Sequence, residues 1–342
     1  MEKPRRVFVT GAGFTRALVP DAPLLVDDFG NDALVETVRS LPKASQLLEA
    51  ERRRHPKGFI NLERLMTRLD TLMPYDYDHK AVDEIDFLYS ALKDSFLRRI
   101  SGVRSGKFAS DDLDAFVAHC TANGAACITF NYDDFLDEAL ASSGIWNADW
   151  GYGFYCRSSS TAVSAIGGDR LIARFLLLKL HGSVNWRALL GHESPYALAA
   201  IVHHHAWGNG DVPGHLRPQV ERHLEPDPVI VPPVLTKSGL VAQSVLRFVW
   251  TRAFAELAAA DGVTFIGYSF PETDSAARVL FSEALRDLPG DRVEVVGREH
   301  TDAGKIALKS RYRRLLGDIP DERFFFDGAV EWIRSLDAVR RS

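Results

Sequence analysis

The chain has 342 residues, 46% hydrophobic and 25% charged, the balance of a soluble globular protein long enough to bury a full core without disulfides. A formal net charge of −5 argues against a general attraction to nucleic acid, and three cysteines (Cys120, Cys127, Cys156) argue against a secreted disulfide scaffold. Behind the start MEKPRR there is no apolar stretch of signal-peptide length, and the run Leu171 to Leu180 is broken by Arg174 and ends at Lys179. A cytoplasmic chain with no membrane partner and no direct nucleic-acid partner is the expectation.

Taken in chain order, the first strand is Val7 to Thr10, an apolar run that stops at Gly11-Ala12-Gly13. Residues 31–120 read as mostly helical. Leu62, Leu65, Met66, Leu69 and Leu72 follow helical spacing, as do Ile85, Leu88, Tyr89, Leu92, Phe96 and Ile100, and both stripes are helix core. Strands return at Ala126–Phe130, Phe175–Leu180, Val229–Val231, Val263–Ile266, Val293–Val296 and Phe324–Phe326, and a short last helix covers about Ala329 to Leu336. Strand, polar or glycine turn, then helix is the rhythm of a Rossmann-type α/β fold, a doubly wound parallel sheet. Two stretches break it: the helical block 31–120 and a His/Gly/Pro-rich stretch 187–226.

In an open α/β sheet, ligands bind at the carboxyl ends of strands near the switch in strand order. The strands here end in G-A-G-F-T, N-Y-D-D, H-G-S, G-Y-S and G-R-E. Gly11-Ala12-Gly13-Phe14-Thr15 starts like a dinucleotide turn, in which glycines let the backbone approach a pyrophosphate. The third glycine of G-x-G-x-x-G is missing, so a plain tight turn stands beside that reading. Asp27 and Asp28 lie at the spacing of a ribose-binding acid, but no strand pattern precedes them. Asn131 and Asp133 directly follow a buried strand, where they can orient a carboxamide, a ribose or a water; equally, Asp133 or Asp134 can cap the next helix. His181 ends the most apolar strand and precedes Gly182. Its ordinary pKa suits a general base near neutrality, although a lone His is often a satisfied core residue.

The ordered set Gly11-Ala12-Gly13-Phe14-Thr15, Asn131-Tyr132-Asp133, Leu180-His181-Gly182-Ser183 with Trp186, and Gly267-Tyr268-Ser269 resembles the sirtuins. It is more similar to the sirtuin-like NADases of bacterial antiviral defence, over residues 11 to about 298. The resemblance implies a single sirtuin-like domain over 1–342, with 31–120 and 187–226 as insertions. It implies NAD as substrate, with Gly11, Ala12 and Gly13 at the pyrophosphate and Thr15 nearby. It places Asn131 at the attacking water and nicotinamide ribose, Asp133 at the carboxamide, and His181 as catalytic base. Gly267 and Ser269 fall at phosphate or ribose, and Gly297 and Arg298 at the adenosine. The implied activity is an NAD glycohydrolase that depletes NAD in anti-phage defence, gated as a homo-oligomer or by a partner such as a ring ATPase or an Argonaute-like protein.

The sequence also departs from the sirtuin pattern. Ala17 to Pro23 replaces the G-I-P-x-F-R segment, Phe130 replaces the Gln of T-Q-N-I-D, and no cysteine follows Cys156, so the paired cysteines of a zinc ribbon are missing. A sirtuin-type deacylase or an ADP-ribosyl transferase is the alternative enzyme, and the missing cysteines count against the deacylase. A non-catalytic module binding NAD or ADP-ribose is a third reading. Seven of the eleven histidines lie between 181 and 223, six of them being His192, His203, His204, His205, His215 and His223. Three in a row do not readily share one ion and no Cys supports them, so no metal is expected.

Overall fold

The computed structural model describes residues 5–19, 22, 32–54, 58–71, 73, 75–76, 78–102, 110–154, 156–158, 175–189, 198–200, 224–231, 233–234, 244–271 and 274–341. Leu72, Asp27 and Asp28 lie outside them, as do the histidines from 192 to 223. The chain divides into two compact units, one of Met1–Pro20, Lys107–Ile230 and Gly239–Ser342, the other of Asp21–Gly106 and Val231–Ser238.

The larger unit opens with β1 (Arg6–Thr10) and α1 (Ala12–Leu18). The smaller unit holds α2 (Asp32–Val38), α3 (Pro42–Arg52), α4 (Leu62–Asp70) and α5 (His79–Gly102). The larger unit resumes with α6 (Asp111–Asn123), β2 (Gly124–Thr129), α7 (Phe135–Ser142) and α8 (Ala148–Gly151). There follow β3 (Arg157–Ser158), β4 (Leu176–Lys179), β5 (Gly182–Leu189), β6 (Leu198–Ala200) and β7 (Leu224–Ile230). The chain closes with α9 (Ser244–Ala258), β8 (Gly262–Ile266), α10 (Ser275–Ala284), β9 (Val293–Val296), α11 (Asp302–Leu316), β10 (Phe324–Phe325) and α12 (Ala329–Arg341).

Six strands form one sheet in the order β10-β9-β8-β1-β2-β4, every pair parallel. Counted along the chain within this sheet, that is the 3-2-1-4-5-6 order of a doubly wound dinucleotide fold, with its switch between β1 and β8. The register shows why the strands are apolar throughout. Val9 pairs with Phe265, so both face one side of the sheet, and the neighbouring Phe8 faces the other. Phe8 meets Phe116 of α6 at 5.9 Å. Phe265 meets Phe281 of α10 at 5.2 Å and Tyr312 of α11 at 5.3 Å. A strand with helices on both faces has no solvent side on which to place alternate polar residues. Val7, Phe8, Val9, Phe265 and Ile266 are fully buried.

One expected strand belongs elsewhere. Val229 and Ile230 do not join the parallel sheet; they end β7, which pairs antiparallel with β5 in a second sheet of order β3-β6-β5-β7. The reason lies at Gly182, whose φ of +77° turns the chain back immediately after β4, so a strand follows where the rhythm calls for a helix. A Cβ there would fall 2.1 Å from the Val229 carbonyl oxygen, so only glycine allows β5 to pass so close to β7. Pro226 and Pro228 sit in β7, an edge strand, where a missing N–H is tolerated.

In the smaller unit, the expected stripes Leu62, Leu65, Met66 and Leu69, and Ile85, Leu88, Leu92, Phe96 and Ile100, are buried; Tyr89 is half-buried. Polar staples complete it. Glu84 accepts from the backbone N–H of Lys43 at 2.6 Å and Ala44 at 3.3 Å, satisfying the open start of α3. Buried Asp76 is paired with Arg68 at 2.6 Å and Lys43 at 3.1 Å. Among the described residues, no helix is long and apolar enough to cross a membrane.

Candidate active site

At the switch point the chain ends of β1 and β8 interlock. Gly11 N–H donates to the Ile266 carbonyl at 3.2 Å, and Gly13 N–H to the Gly267 carbonyl at 3.0 Å. A Cβ on Gly11 or Gly13 would lie 2.8 or 2.9 Å from the Gly267 oxygen, and one on Gly267, at φ +60°, would lie 2.2 Å from the Phe14 nitrogen. The three glycines therefore seat α1 directly on the end of β8. Two of the amide groups of G-A-G are spent on that seat, while Ala12 and Gly13 present an exposed surface.

Asn131 and Asp133 lie at the end of β2, beside α1. The Asn131 side chain is buried and donates from Nδ2 to the Gly11 carbonyl at 3.0 Å and to Thr15 Oγ1 at 2.8 Å. Thr15 in turn donates to Asp133 Oδ2 at 3.0 Å. Asn131, Thr15 and Asp133 thus form one directed chain of hydrogen bonds. Together with Asp137, Phe14 and Phe135 they border a recess of about 340 Å³, counting its open mouth. Burial pushes the Asp133 carboxyl above the ordinary range, against the opposing pull of Lys179 and Thr15. Asp134 is the N-cap residue of α7 but its side chain makes no capping hydrogen bond; Asp133 Oδ1 accepts from Phe135 N–H at 3.4 Å.

His181 faces a different set of neighbours. Its buried ring lies edge-on to Phe130 at 5.2 Å and 5.7 Å from Tyr132, the residues on either side of Asn131. Tyr268 of G-Y-S stacks on Phe130 at 4.4 Å. The histidine Nε2 is 3.4 Å from Asp274 Oδ2, and Asp274 is buried at the N-cap of α10. Asn131 and Asp133 border the recess beside α1, and His181 packs against Phe130 and Tyr132.

The remaining expected positions are outlying. The Ser269 side chain is exposed, and its carbonyl accepts from Arg311 at 2.7 Å. The next residue, Phe270, is fully buried at φ +48°, a left-handed conformation that bulky side chains rarely adopt. Gly297 and Arg298 follow β9, two strands from β1; Arg298 is exposed, with Nε 3.3 Å from His300 Nε2.

Sequence reading missed three features of this region. Asp274 is one; its N-cap position before an apolar helix was legible, its approach to His181 was not. The second is a fully buried network under the N-Y-D segment. Lys179 donates to Asp137 Oδ2 at 2.8 Å and to the Asp133 carbonyl, and Tyr152 donates to the other Asp137 oxygen. A charge ending an apolar strand was the available signal. The third is Asn185 on β5, fully buried with neither amide atom hydrogen-bonded.

All three cysteines are buried, and burial raises the Cys120 and Cys127 thiols, the latter to about 12. Among the described residues, no group of three His, Cys, Asp or Glu side chains is placed to hold a metal ion.

No family model matches the sequence, and no curated protein matches it. Solved structures similar to this chain include a Sir2 homologue in complex with NAD, at 13% identity and TM-score 0.41, covering 99% of this chain and 91% of that one. A triply substituted Sir2 homologue with 2′-O-acetyl ADP ribose has 14% identity and TM-score 0.44, covering 99% and 93%. Sir2Tm with a propionylated peptide has 13% identity and TM-score 0.41, covering 99% and 94%.

Proposed function

We propose that the protein hydrolyses NAD at the nicotinamide–ribose bond. The observation that carries this reading is that G-A-G-F-T and G-Y-S follow β1 and β8 at the switch and N-Y-D follows the adjacent β2, where a sheet of this order receives a dinucleotide, with H-G-S following β4 beyond them. The reaction breaks the bond between ribose C1′ and the nicotinamide nitrogen. Nicotinamide departs neutral with the electron pair, water adds to C1′, and one proton is released. No general acid is needed at the leaving group; the task is to position the ribose, shield the cationic transition state and remove the water proton. Asn131 orients the water and ribose, the Asp133 carboxylate accepts from the carboxamide, and His181 takes the proton. In this reading Gly11, Ala12, Gly13 and Thr15 lie along the pyrophosphate, Gly267 and Ser269 at ribose or phosphate, and Gly297 and Arg298 toward the adenosine.

In this reading Asn131 and His181 both reach one ribose. The family resemblance extends the proposal to NAD depletion in antiviral defence. Activity is then gated by self-assembly or by a separate protein, because unrestrained NAD hydrolysis is toxic to its host.

The test is to incubate purified protein with NAD and separate the products. Nicotinamide and ADP-ribose are expected in equal amounts. His181→Ala and Asn131→Ala each lower the rate at least about 100-fold while the proteins remain folded. Stoichiometric NAD binding without turnover would replace this reading with a non-catalytic module. Nicotinamide release that requires an acyl-lysine peptide would replace it with deacylation.

A further inference from the structure

We propose that the adenosine end of the site takes a 2′-phosphate, held by Arg298 with His300 beside it, so that NADP is cleaved in preference to NAD. The proposal rests on the hydrolytic reading above for its reaction and on the fold for its placement. β8, α10 and β9 form one strand–helix–strand unit, and with α11 and β10 they make up one half of the doubly wound sheet. In such a half the first strand ends at a glycine turn and the second ends at the adenosine ribose. An acid there hydrogen-bonds the free 2′-hydroxyl of NAD, whereas an arginine there accommodates the 2′-phosphate of NADP. The two strand ends are level: Ile266 pairs with Val296, and Gly267 N–H donates to the Val296 carbonyl at 2.9 Å. Gly297 and Arg298 therefore come immediately after the last paired residue of the second strand.

The backbone at this end is held and its cation is presented to solvent. Gly297 N–H donates to the Phe325 carbonyl and Gly328 N–H to the Gly297 carbonyl, both at 2.9 Å, and Glu299 N–H donates to the Phe326 carbonyl at 3.0 Å. The stem of Arg298 runs along Gly328, where a Cβ would lie 3.6 Å from Arg298 Cβ and 3.7 Å from its Cγ and Cδ. The Arg298 side chain is exposed. Among the described residues its guanidinium meets the exposed His300 ring, with Nε 3.3 Å from Nε2, and no carboxylate. The two acids beside it are Glu299 and Asp327. Glu299 is turned onto the first turn of α11, where a Cβ on Gly304 would collide with its Oε2. Asp327 stands opposite Arg298 across an antiparallel bridge, is exposed and forms no ion pair with it. The side chain left for the ribose 2′ position is thus a planar cation whose paired N–H groups match two phosphate oxygens, and the imidazole adds a further ring nitrogen. Cleavage itself is unchanged. The bond from C1′ of the nicotinamide ribose to the nicotinamide nitrogen breaks, water adds at C1′ and one proton is released. The 2′-phosphate stays on the adenosine ribose, so the products are nicotinamide and ADP-ribose 2′-phosphate.

The experiment has a kinetic arm and a binding arm. Nicotinamide release is measured with NADP and with NAD, and ADP-ribose 2′-phosphate and ADP-ribose are titrated calorimetrically, for wild type, Arg298→Gln and Arg298→Glu. Wild type is expected to show the higher kcat/KM with NADP and the tighter binding of the 2′-phosphate, a preference that narrows as salt rises because the cation is exposed. Arg298→Gln keeps hydrogen-bonding capacity and loses the charge. The ratio of kcat/KM for NADP to that for NAD, and the ratio of the two affinities, should each fall about ten- to a hundredfold. Arg298→Glu should reverse the preference. A wild type that favours NAD, or an equal loss with both substrates in a variant that melts as wild type does, overturns the proposal and leaves the hydrolytic reading in place. Cleavage of neither dinucleotide sinks the hydrolytic reading, and the titrations then decide alone. Tighter binding of the 2′-phosphate that is lost in Arg298→Gln upholds the site, and equal or undetectable binding of the two ligands overturns it.

Discussion

Lys179 and His181 stand two residues apart at the end of β4, and each meets a buried carboxylate, yet the two pairs are built differently. The Lys179 ammonium is 2.8 Å from Asp137, also donates to the Asp133 carbonyl, and shares Asp137 with the Tyr152 hydroxyl. A permanent charge sealed from water must be met in this way, since an unpaired one costs several kcal/mol. His181 lies 3.4 Å from Asp274, surrounded by aromatic rings. An imidazole can be neutral, so its burial does not by itself demand a short charged contact. The Lys179–Asp137 pair holds the segment on which Asn131 and Asp133 sit.

The largest effect should come from breaking the Lys179–Asp137 pair. Lys179→Met leaves Asp137 charged and buried and strips a donor from the Asp133 carbonyl. We expect a loss of about 3–5 kcal/mol in urea unfolding. The double variant Lys179→Met with Asp137→Leu should lose less than the sum of the two single changes, because neither charge is then stranded. A cost under about 1 kcal/mol for Lys179→Met would erase the distinction between the two pairs.

The contrast also explains what the sequence could and could not disclose. Runs such as Val7–Thr10 and Val263–Ile266 were legible because strands covered on both faces are apolar throughout, and the glycine or polar residues after them marked the strand ends. The strand-end rule and the motif resemblance carried G-A-G and N-Y-D to one place. They did not carry Asp274 to His181 or Asp137 to Lys179. Those approaches depend on strand order: Lys179 meets Asp137 because β4 lies beside β2, and Asp274 follows β8, which returns beside β1. The misplaced Val229 and Ile230 had the same cause. Their residues suit a parallel strand, and only the left-handed Gly182 shows that the chain reverses after β4 and pairs with them antiparallel.

A smaller effect should follow from Asp133→Asn on the recess side. Burial raises the Asp133 carboxyl, so the folded state binds its proton more tightly than the unfolded chain does. The stability this contributes is present below the ordinary carboxylate range and is lost as pH rises through the raised folded value. Removing the charge should therefore raise stability near neutral pH, by an amount on the order of 1 kcal/mol. The gain should vanish in acid, where wild type is protonated as well. Urea midpoints across pH provide the check. An advantage that persists below the ordinary carboxylate range would assign the effect to packing and not to the charge.

The smallest effect concerns Asn185, which belongs to neither pair. It lies on β5, four residues past His181, fully buried, and neither its amide nitrogen nor its oxygen is hydrogen-bonded. Burying an amide without hydrogen bonds costs about 1–3 kcal/mol by protein mutational data. Leucine has nearly the same shape and carries no such cost, but fitting a new branched side chain into a packed site costs about 1 kcal/mol. The balance predicts that Asn185→Leu raises stability by about 0.5–1 kcal/mol. The measurement is the urea midpoint at constant m-value, since a changed slope would signal a different unfolded or native state. A loss exceeding about 1 kcal/mol would mean that the amide is already satisfied in solution. The comparison would then gain a third member, a neutral buried group that, like Lys179, is held by partners.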